Sequence, residues 1–270
     1  MKNFFDLKDR VVVITGGTGI LGRCLSSYLA GEGAKVAILA RNAQVGTALV
    51  NDIRKENGQA LFLESNVTNQ SVLDDNLNAV LNAYGRVDGL LNAAGGNMPG
   101  ATITPSQTLF DLGTEDFRKV MDLNLVGTLM PTRTFLKPMV EQKSGSIVNF
   151  SSMSAFRPLT RVAGYGVAKA GVSNLTAYLA SEVALKFSPQ IRVNAIAPGF
   201  FLTNQNRALL TNPDGSLTQR GQDIIRQTPM KRMGDPSEIC GTIHYLLSDA
   251  SRFVTGTVAV VDGGFNIFSI

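Results

Sequence analysis

The chain of 270 residues has few of the groups on which disulfide frameworks and metal sites depend. It has only two cysteines, Cys24 and Cys240, which form no CxxC pair, and a single histidine, His244. We therefore expect buried thiols, and nothing in the cysteine pattern indicates an oxidising compartment. No cluster of Cys, His and carboxylates has metal-ligand spacing, so we expect His244 to be structural and catalysis to need no metal.

Long apolar segments and clusters of like charge are also missing. The first apolar run, residues 11–14, is far too short to span a bilayer, and the residues before it do not resemble a signal peptide. The net charge of +4 comes from basic residues spread along the sequence. This distribution argues against nucleic acid as a partner, although a positive balance suits an anionic dinucleotide. We expect a cytoplasmic protein that binds neither membrane nor nucleic acid.

Short apolar runs alternate with stretches in which apolar residues recur three or four positions apart, as at Leu21, Leu25 and Leu29. This alternation predicts an α/β fold of the Rossmann type: a doubly wound parallel sheet of about seven strands with helices on both faces, in a single domain over 1–270. The predicted strands are 11–15, 35–40, 60–64, 88–92, 146–150, 191–196 and 258–261. Their carboxyl ends should meet at one edge of the sheet, where ligands bind.

Two longer segments do not fit a minimal α/β unit. Residues 97–113 are loop-like, and residues 203–232 are polar and contain the turn signal Asn212-Pro213-Asp214-Gly215. Both follow predicted strands, so both should overhang the ligand edge. We expect about 203–232 to form a lid over the substrate.

A glycine-rich turn follows the first strand. Gly17, Gly19 and Gly22 match GxGxxG, and a helix is predicted to follow them. Glycines allow a close approach to a pyrophosphate, which the amides at the start of the helix would bind. The predicted cofactor loop is Gly16, Gly17, Thr18, Gly19, Ile20, Leu21 and Gly22.

The end of the second strand bears on the choice of dinucleotide. An acidic residue there would bind the ribose 2′-hydroxyl of NAD, but Ala40 occupies that position and Arg41 follows it. An arginine accommodates a 2′-phosphate, and the missing carboxylate removes repulsion. We therefore favour NADP(H), with NAD(H) as the alternative. Arg23 is a second candidate for the phosphate, and Asn66 is a candidate for the adenine amine.

Tyr165 and Lys169 are four residues apart in a predicted helix and so share one of its faces. A free tyrosine, with a pKa of about 10, is a poor base at neutral pH, but a nearby ammonium lowers that pKa. The pair would then exchange a proton with an alcohol or carbonyl. Ser152 follows the fifth predicted strand, and its hydroxyl would hold the substrate oxygen.

These motifs, in this order, resemble the single-domain branch of the short-chain dehydrogenase/reductase family over nearly the whole sequence. Two positions depart from the family pattern: Ile20 stands where that branch usually has glycine, and Asn66 replaces the usual aspartate of the adenine contact. The matching segments are 15–22, Asn92-Ala93-Ala94-Gly95, Leu123-Asn124-Leu125-Val126-Gly127, Ser151-Ser152, Tyr165-Gly166-Val167-Ala168-Lys169, Arg192-Val193-Asn194-Ala195, Pro198-Gly199 with Thr203, and Val261-Asp262-Gly263-Gly264.

The resemblance implies further roles. Asn124, Ser152, Tyr165 and Lys169 would be catalytic, with Asn124 holding a helix kink and a water that links Lys169 to solvent. The Phe201 backbone and Thr203 would contact the nicotinamide carboxamide, and a homotetramer or homodimer is expected. The other implied cofactor contacts are Asn66, Val67, Asn92, Ala93, Ala94, Gly95, Pro198 and Gly199.

The substrate is expected to be a small molecule with polar groups. An arginine near the reacting carbonyl would clamp a carboxylate, and asparagines would bind sugar hydroxyls. Segments around Gly95, Ser154 and Phe200 resemble the D-mannonate oxidoreductases of this family, which interconvert D-fructuronate and D-mannonate; that activity usually goes with NAD, in tension with Arg41. The candidate substrate residues are Asn97, Ser152, Ser154, Arg157, Arg161, Asn206 and Arg207.

Two other functions stay open. A 3-oxoacyl carrier-protein reductase would share the fold and the cofactor, but it would need an open apolar groove, which the polar 203–232 segment disfavours. A non-catalytic NADP sensor would bind partner proteins, yet such proteins often lose the tyrosine or lysine that this protein retains.

Overall fold

The computed structural model describes residues 3–203 and 207–268 of the protein. Its strands form one seven-stranded parallel sheet in the order β3-β2-β1-β4-β5-β6-β7, which confirms the predicted doubly wound α/β class. The strands are β1 (Val11–Thr15), β2 (Lys35–Ala40), β3 (Gln59–Glu64), β4 (Gly89–Asn92), β5 (Gly145–Phe150), β6 (Ile191–Pro198) and β7 (Val258–Val261).

Helices connect the strands and cover both faces of the sheet. Several begin where the sequence supplies a capping residue: the side chain of Asn42 accepts from the Val45 amide and that of Asn69 from the Val72 amide. The helices are α1 (Ile20–Gly31), α2 (Ala43–Lys55), α3 (Gln70–Tyr84), α4 (Thr114–Met121), α5 (Gly127–Gln142), α6 (Ala163–Lys186), α7 (Arg207–Leu210), α8 (Gln219–Gln227) and α9 (Cys240–Leu247).

Two apolar layers enclose the sheet because its strands are buried on both sides. One layer packs α1, α2 and α9 against the sheet, and the other packs α3, α5 and α6. The first includes Leu25, Leu29, Leu49, Ile53, Ile243 and Leu246, and the second includes Leu73, Leu77, Phe135, Met139, Leu179 and Val183.

The strand order reverses between β1 and β4, so the connections from these two strands run to opposite faces of the sheet. A crevice forms at the carboxyl ends of the strands at such a point. This places the glycine turn after β1 next to Ala93, Ala94 and Gly95, which follow β4.

The scarce residues have packing roles in the fold. His244 is buried, its Nδ1 lies 2.8 Å from the hydroxyl of Tyr28, and its Nε2 bonds the carbonyl of Phe5. The thiols of Cys24 and Cys240 lie 3.8 Å apart, between α1 and α9. Burial and the neighbouring thiol raise the pKa of Cys240 to about 12.

Across 3–203 and 207–268, no group of three or more His, Cys, Asp or Glu is arranged to hold a metal ion. The same residues include no helix that is both long and apolar enough to span a bilayer.

Candidate active site

The glycine turn after β1 is shaped by close backbone contacts. Gly16 has φ +65°, and a Cβ on it would lie 2.8 Å from the Ala94 backbone. A Cβ on Gly17 would lie 2.9 Å from Ile38, and one on Gly22 would collide with the carbonyl oxygen of Gly16. Side chains at these positions would therefore force the turn open.

The turn leaves the start of α1 free for an anion. Gly19 is the N-cap of α1, it offers no side-chain cap, and the first turn of the helix has no acidic residue. Thr18 and Ile20 are partly exposed, and Gly19 is exposed. A cradle without side chains before uncapped helix amides fits the pyrophosphate of a dinucleotide.

The residues after β2 and β3 line the same edge. Arg41 is exposed directly after β2, next to a buried Ala40. The Asn66 side-chain oxygen accepts from the backbone and hydroxyl of Thr68, at 3.1 and 2.9 Å. That turn exposes Asn66 and leaves Val67 buried. Arg41 and Asn66 are thus both available at the edge where the adenosine half of a dinucleotide would bind.

Gly95 lies where the β4 motif, Asn124 and Lys169 meet. A Cβ on Gly95 would be 2.7 Å from Oδ1 of Asn124 and 3.2 Å from Nζ of Lys169. Nearby, the Ala94 amide donates to Oγ1 of Thr15, at 3.2 Å. The structure therefore joins three segments that are distant in the sequence.

Asn92 is placed differently from the expected cofactor contact. Its side chain is buried and donates to Thr132 and Asn149, each at 2.8 Å, while Asn149 donates to Thr176 at 2.9 Å. The alternation of a β-strand explains this, because Asn92 belongs to β4 and points into the core, whereas Ala93 and Ala94 are partly exposed.

Asn124 occupies a π-helical turn, Asp122–Val126, between α4 and α5, where the resemblance implied a helix kink. Its side-chain nitrogen donates to the carbonyl oxygens of Gly96 and Val120, and its oxygen accepts from the Gly96 amide. A wide turn interrupts the regular ladder, and these bonds satisfy part of the backbone there. Asn124 thereby fixes the loop that follows β4.

Ser152 and Tyr165 meet above β5 and β6. The Ser152 hydroxyl hydrogen-bonds the Tyr165 phenol and accepts from the Ser154 amide at 3.3 Å. Burial raises the pKa of Tyr165, and the Ser152 bond acts in the opposite direction. We expected the Lys169 ammonium to lower the pKa of Tyr165. Among the described residues, Ser152 lowers it and Lys169 does not.

The position of Lys169 explains this difference. Its ammonium donates to the Phe150 carbonyl at 2.7 Å and lies over the Tyr165 ring, 5.5 Å from the ring centroid. Lys169 is 3% exposed, and this burial lowers its pKa to about 8. The pair therefore combines a protonated phenol with a lysine that exchanges its proton near neutral pH.

The segment after β6 closes the other side of the crevice. Pro198 is buried, and the Gly199 amide donates to the carbonyl of Val261 at 2.8 Å. Phe201 is 4% exposed and pairs with Gly234. Thr203 is partly exposed, and its carbonyl accepts from the Arg207 amide at 2.9 Å.

Two of the predicted substrate residues carry polar atoms without partners. Oδ1 of Asn97 and Oγ of Ser154 are buried and have no hydrogen-bond partner among the described residues, although Nδ2 of Asn97 donates to Thr102 at 2.7 Å. Ser154 is two residues from Ser152. Buried polar atoms are rarely left unbonded. Because Ser65, Asn76 and Asn92 also carry such atoms, it is the closeness of Asn97 and Ser154 in sequence to Gly95 and Ser152 that favours a ligand contact at these two.

The predicted arginines fall in different places. Arg157 does not face open space: it donates to the carbonyls of Phe265 and Phe268, at 2.7 and 3.2 Å. Arg161 is partly buried beside the lid, and Arg207 is exposed at the start of α7. The prediction for Asn206 lies outside the described residues.

Residues 207–232 of the segment predicted to form a lid are held by hydrogen bonds within the segment and to the loop after β5. The turn predicted at Asn212 forms, with Gly215 at φ +84° and its amide donating to the Asn212 carbonyl at 3.0 Å. Helix α8 follows and carries Arg220, which donates to the Thr160 hydroxyl and carbonyl, both at 3.3 Å. Arg220 is not among the predicted substrate residues, because nothing local in the sequence relates it to Thr160, 60 residues away.

The C-terminal segment also lines the site. Phe265 is 4% exposed and packs with Met153 and Ala197, and its ring meets that of Phe200 edge-on at 5.0 Å. Asp262 fixes this segment by accepting from the amides of Gly264 and Asn266. Phe265 is therefore buried within the same polypeptide, whereas Ile267 of this segment stays exposed.

Comparisons with known proteins place this geometry among oxidoreductases. The family model described as enoyl-(acyl carrier protein) reductase matches residues 18–266. An uncharacterised oxidoreductase of Bacillus subtilis is 40% identical over 273 residues, covering 98% of this chain and 97% of the relative. A 3-oxoacyl-(acyl-carrier-protein) reductase of Synechocystis is 34% identical over 264 residues, covering 97% and 99%.

Solved structures are similarly close. A candidate D-mannonate oxidoreductase from Haemophilus influenzae with bound NAD superposes with a TM-score of 0.91 at 37% identity, covering 98% of this chain and 97% of that one. A gluconate 5-dehydrogenase from Burkholderia cenocepacia in complex with NADP and tartrate has a TM-score of 0.88 at 28% identity, covering 98% of both proteins.

Proposed function

Because the protein belongs to the short-chain dehydrogenase/reductase family, we propose that it is an NADP(H)-preferring enzyme that interconverts the ketone and secondary alcohol of a sugar acid, such as D-fructuronate and D-mannonate. The observation that carries the reaction type is the convergence of Ser152, Tyr165, Lys169 and Asn124 beside a glycine cradle at one sheet edge.

A bound nicotinamide supplies the hydride for reduction and accepts it in oxidation. In the reducing direction Tyr165 donates its proton to the carbonyl oxygen as the hydride adds to the carbon. The raised pKa of Tyr165 keeps the phenol protonated for this step. The Ser152 hydroxyl holds the same oxygen as its charge develops.

Lys169 and Asn124 act behind the tyrosine. Lys169, with its pKa lowered to about 8, exchanges protons near neutral pH next to the Tyr165 ring. Asn124 keeps Gly96 in place, and Gly95 leaves room for both side chains. Reversal of these steps oxidises the alcohol.

The unbonded oxygens of Asn97 and Ser154 support a hydroxyl-rich substrate. Sugar hydroxyls donate to such acceptors, whereas an acyl tail would leave them buried without partners. The names of two structural relatives, a candidate D-mannonate oxidoreductase and a gluconate 5-dehydrogenase, favour the same class.

The preference for NADP(H) rests on Arg41. Its guanidinium is exposed and directly follows the buried Ala40. A carboxylate in place of Ala40 would repel the 2′-phosphate, and the alanine does not. Structural relatives carry NAD or NADP, so both cofactors belong in the assay.

The first test measures NADPH and NADH oxidation with D-fructuronate, neutral ketoses and a 3-oxoacyl thioester. We expect turnover of the uronate, and loss of about a thousandfold in kcat in Tyr165→Phe while cofactor binding, followed by fluorescence, is retained. Cofactor binding without turnover of any substrate would instead favour a non-catalytic sensor.

One alternative reaction has specific support: the matching family model is described by acyl-carrier chemistry, and a 3-oxoacyl reductase is among the relatives. Turnover of the thioester alone would establish that alternative and exclude the sugar acid. The polar segment over the site, with Arg207, Asn212 and Arg220, is a poor wall for an acyl group.

We further propose that the protein is a homotetramer or a homodimer. Apolar side chains remain exposed on α6, at Val167, Tyr178 and Leu185, and on the edge strand β7, at Val260. Such surfaces are typical of subunit contacts. Light scattering that gives a monomer mass at micromolar concentration would contradict the proposal.

A further inference from the structure

Three segments that follow three different strands converge at Thr160 and Arg161. Arg220, on α8 of the lid, donates from Nη1 to the Thr160 hydroxyl and from Nη2 to its carbonyl, both at 3.3 Å. From the other side, the Ile103 amide donates to the Arg161 carbonyl at 2.9 Å. The loop between Ser152 and Tyr165 is therefore held by the segment after β4 and by the lid after β6.

Arg161 is fixed in an unusual conformation. Its φ is +77°, in the left-handed region that few residues other than glycine adopt. Such a conformation costs free energy and persists only where the surroundings hold it, as Ile103 does here. Its partly buried guanidinium has no hydrogen-bond or ion-pair partner within the described ranges.

Within 3–203 and 207–268, one carboxylate opposes the positive charge at this point. Burial and the nearby charge of Arg161 lower the pKa of Arg220, and only Asp223 opposes them. Asp223 is already engaged, because it accepts from Arg226 at 2.7 Å and from Gln219 at 3.0 Å. The charge of Arg161 thus acts on Arg220, whose opposing carboxylate is already occupied.

We propose that Arg161 and Arg220 together bind the carboxylate of the substrate, Arg161 from the fixed wall of the site and Arg220 from the lid; this inference rests on the proposed function and assigns its specificity. The planar fork of arginine matches a carboxylate, and two forks from opposite sides would satisfy both of its oxygens.

The position suits a sugar acid. Arg161 is four residues before Tyr165, in the loop that begins at Ser152. In a uronic-acid ketone the carboxylate and the reacting carbonyl lie towards opposite ends of the six-carbon skeleton. Recognition of the carboxylate therefore belongs on the lid side of the site, away from the Ser152 hydroxyl.

The arrangement also lets the bound carboxylate strengthen the contact between α8 and the loop at Thr160. A carboxylate between the two arginines removes their repulsion and adds a bridge from α8 to the fixed loop. A neutral sugar leaves the repulsion in place, so it would hold the lid less firmly. Selectivity for acids would then appear mainly in KM.

The test compares Arg161→Gln, Arg220→Gln and Arg220→Lys with the wild type. D-Fructuronate and D-fructose serve as substrates at saturating cofactor, since they differ at the end of the molecule that carries the carboxylate. Arg226→Gln is the matched control, because Arg226 lies on the same helix, is exposed and pairs with Asp223. Circular dichroism verifies that each variant is folded.

We expect each glutamine variant to lower kcat/KM for the uronate by about tenfold to a hundredfold through KM, the usual effect of losing bonds to a charged group. Activity on fructose should change by less than about twofold, and Arg220→Lys should recover part of the uronate activity. Calorimetric binding of D-mannonate to each variant, in the presence of NADPH so that no hydride transfer occurs, should weaken in parallel.

The outcomes separate the two proposals. If the wild type reduces the uronate and both glutamine variants do so equally well, the carboxylate site is wrong and the proposed function stands. Equal losses for uronate and fructose would also overturn the carboxylate site, since they would show only a role in lid structure. A wild type that neither reduces the uronate nor binds D-mannonate would overturn both.

Discussion

The guanidinium of Arg157 donates a hydrogen bond of 2.7 Å to the carbonyl oxygen of Phe265 and lies 5.1 Å from the centroid of the Phe265 ring. One arginine thus binds both the backbone and the ring of a residue 108 positions away. Through it, the C-terminal segment is tied to the loop that begins at Ser152.

Replacing Arg157 with alanine should therefore destabilise the protein and slow catalysis. Loss of bonds from a charged donor to buried carbonyls costs about 1 to 3 kcal/mol, and a looser Ser152 loop should lower kcat several-fold. Urea unfolding and steady-state kinetics measure the two effects. Ile267→Ser is the control, because Ile267 lies in the same segment and is 83% exposed. Equal unfolding free energies and equal kcat values for the two variants would contradict the role of Arg157 in holding the C-terminal segment.

Lys169→Met should inactivate the enzyme and stabilise it at pH 7. The ordinary lysine pKa of 10.5 falls to about 8 on burial, which corresponds to about 3 kcal/mol. Methionine removes that cost but also the bond to Phe150, so we expect a gain of about 1 to 3 kcal/mol. Chemical denaturation provides the free energies.

The same variant tests the pH dependence of stability. Below about pH 8 both the folded and the unfolded wild type hold the Lys169 proton, so this group contributes no slope. Between about pH 8 and pH 10.5 only the unfolded state keeps it, and the stability of the wild type should rise. The methionine variant should lack this rise; an identical slope in both proteins would exclude Lys169 as its source.

Gly95→Ala should impair catalysis more than stability. The added Cβ would lie 2.7 Å from Oδ1 of Asn124 and 3.2 Å from Nζ of Lys169, so one of the two must move. A displacement of this size in catalytic groups can cost about a hundredfold in rate. Gly241→Ala is the control, since a Cβ there meets nothing within 4 Å. Equal activity of the two variants would refute the packing argument.

Arg41→Ala should raise the KM for NADPH by about tenfold, as expected when a bond to a phosphate is lost, with little change for NADH. The reason is that only NADPH carries the 2′-phosphate. Arg133→Ala, an exposed change on α5, controls for net charge. An unchanged KM for NADPH would contradict the role given to Arg41. An equal rise in KM for both cofactors would indicate a general effect on binding of the adenosine half.

The strands and the cofactor turn were predictable because their signals are local. Each predicted strand matches an observed one within two residues at either end, since buried parallel strands are short apolar runs between turns. The GxGxxG turn is likewise predictable, because close backbone contacts exclude side chains at Gly16 and Gly22.

The remaining features depend on contacts between distant segments. The sequence could suggest Arg157 as a substrate ligand, but only the tertiary structure brings Phe265 against it. It could not relate Arg220 to Thr160, nor show that Asn92 points into the core. The titration of Tyr165 and Lys169 depends on burial as much as on their spacing.

The π-helical turn at Asp122–Val126 accommodates one extra residue compared with the α-helices on either side of it. It is equivalent to a single-residue insertion in an otherwise continuous helix. Deleting one residue there would restore the regular ladder, and the residues left in the turn would take new places around the helix axis, since neighbours in an α-helix differ by about 100°. Asn124 would then no longer face Gly96. The length of this helix is therefore fixed by the place that Asn124 must hold beside Gly96.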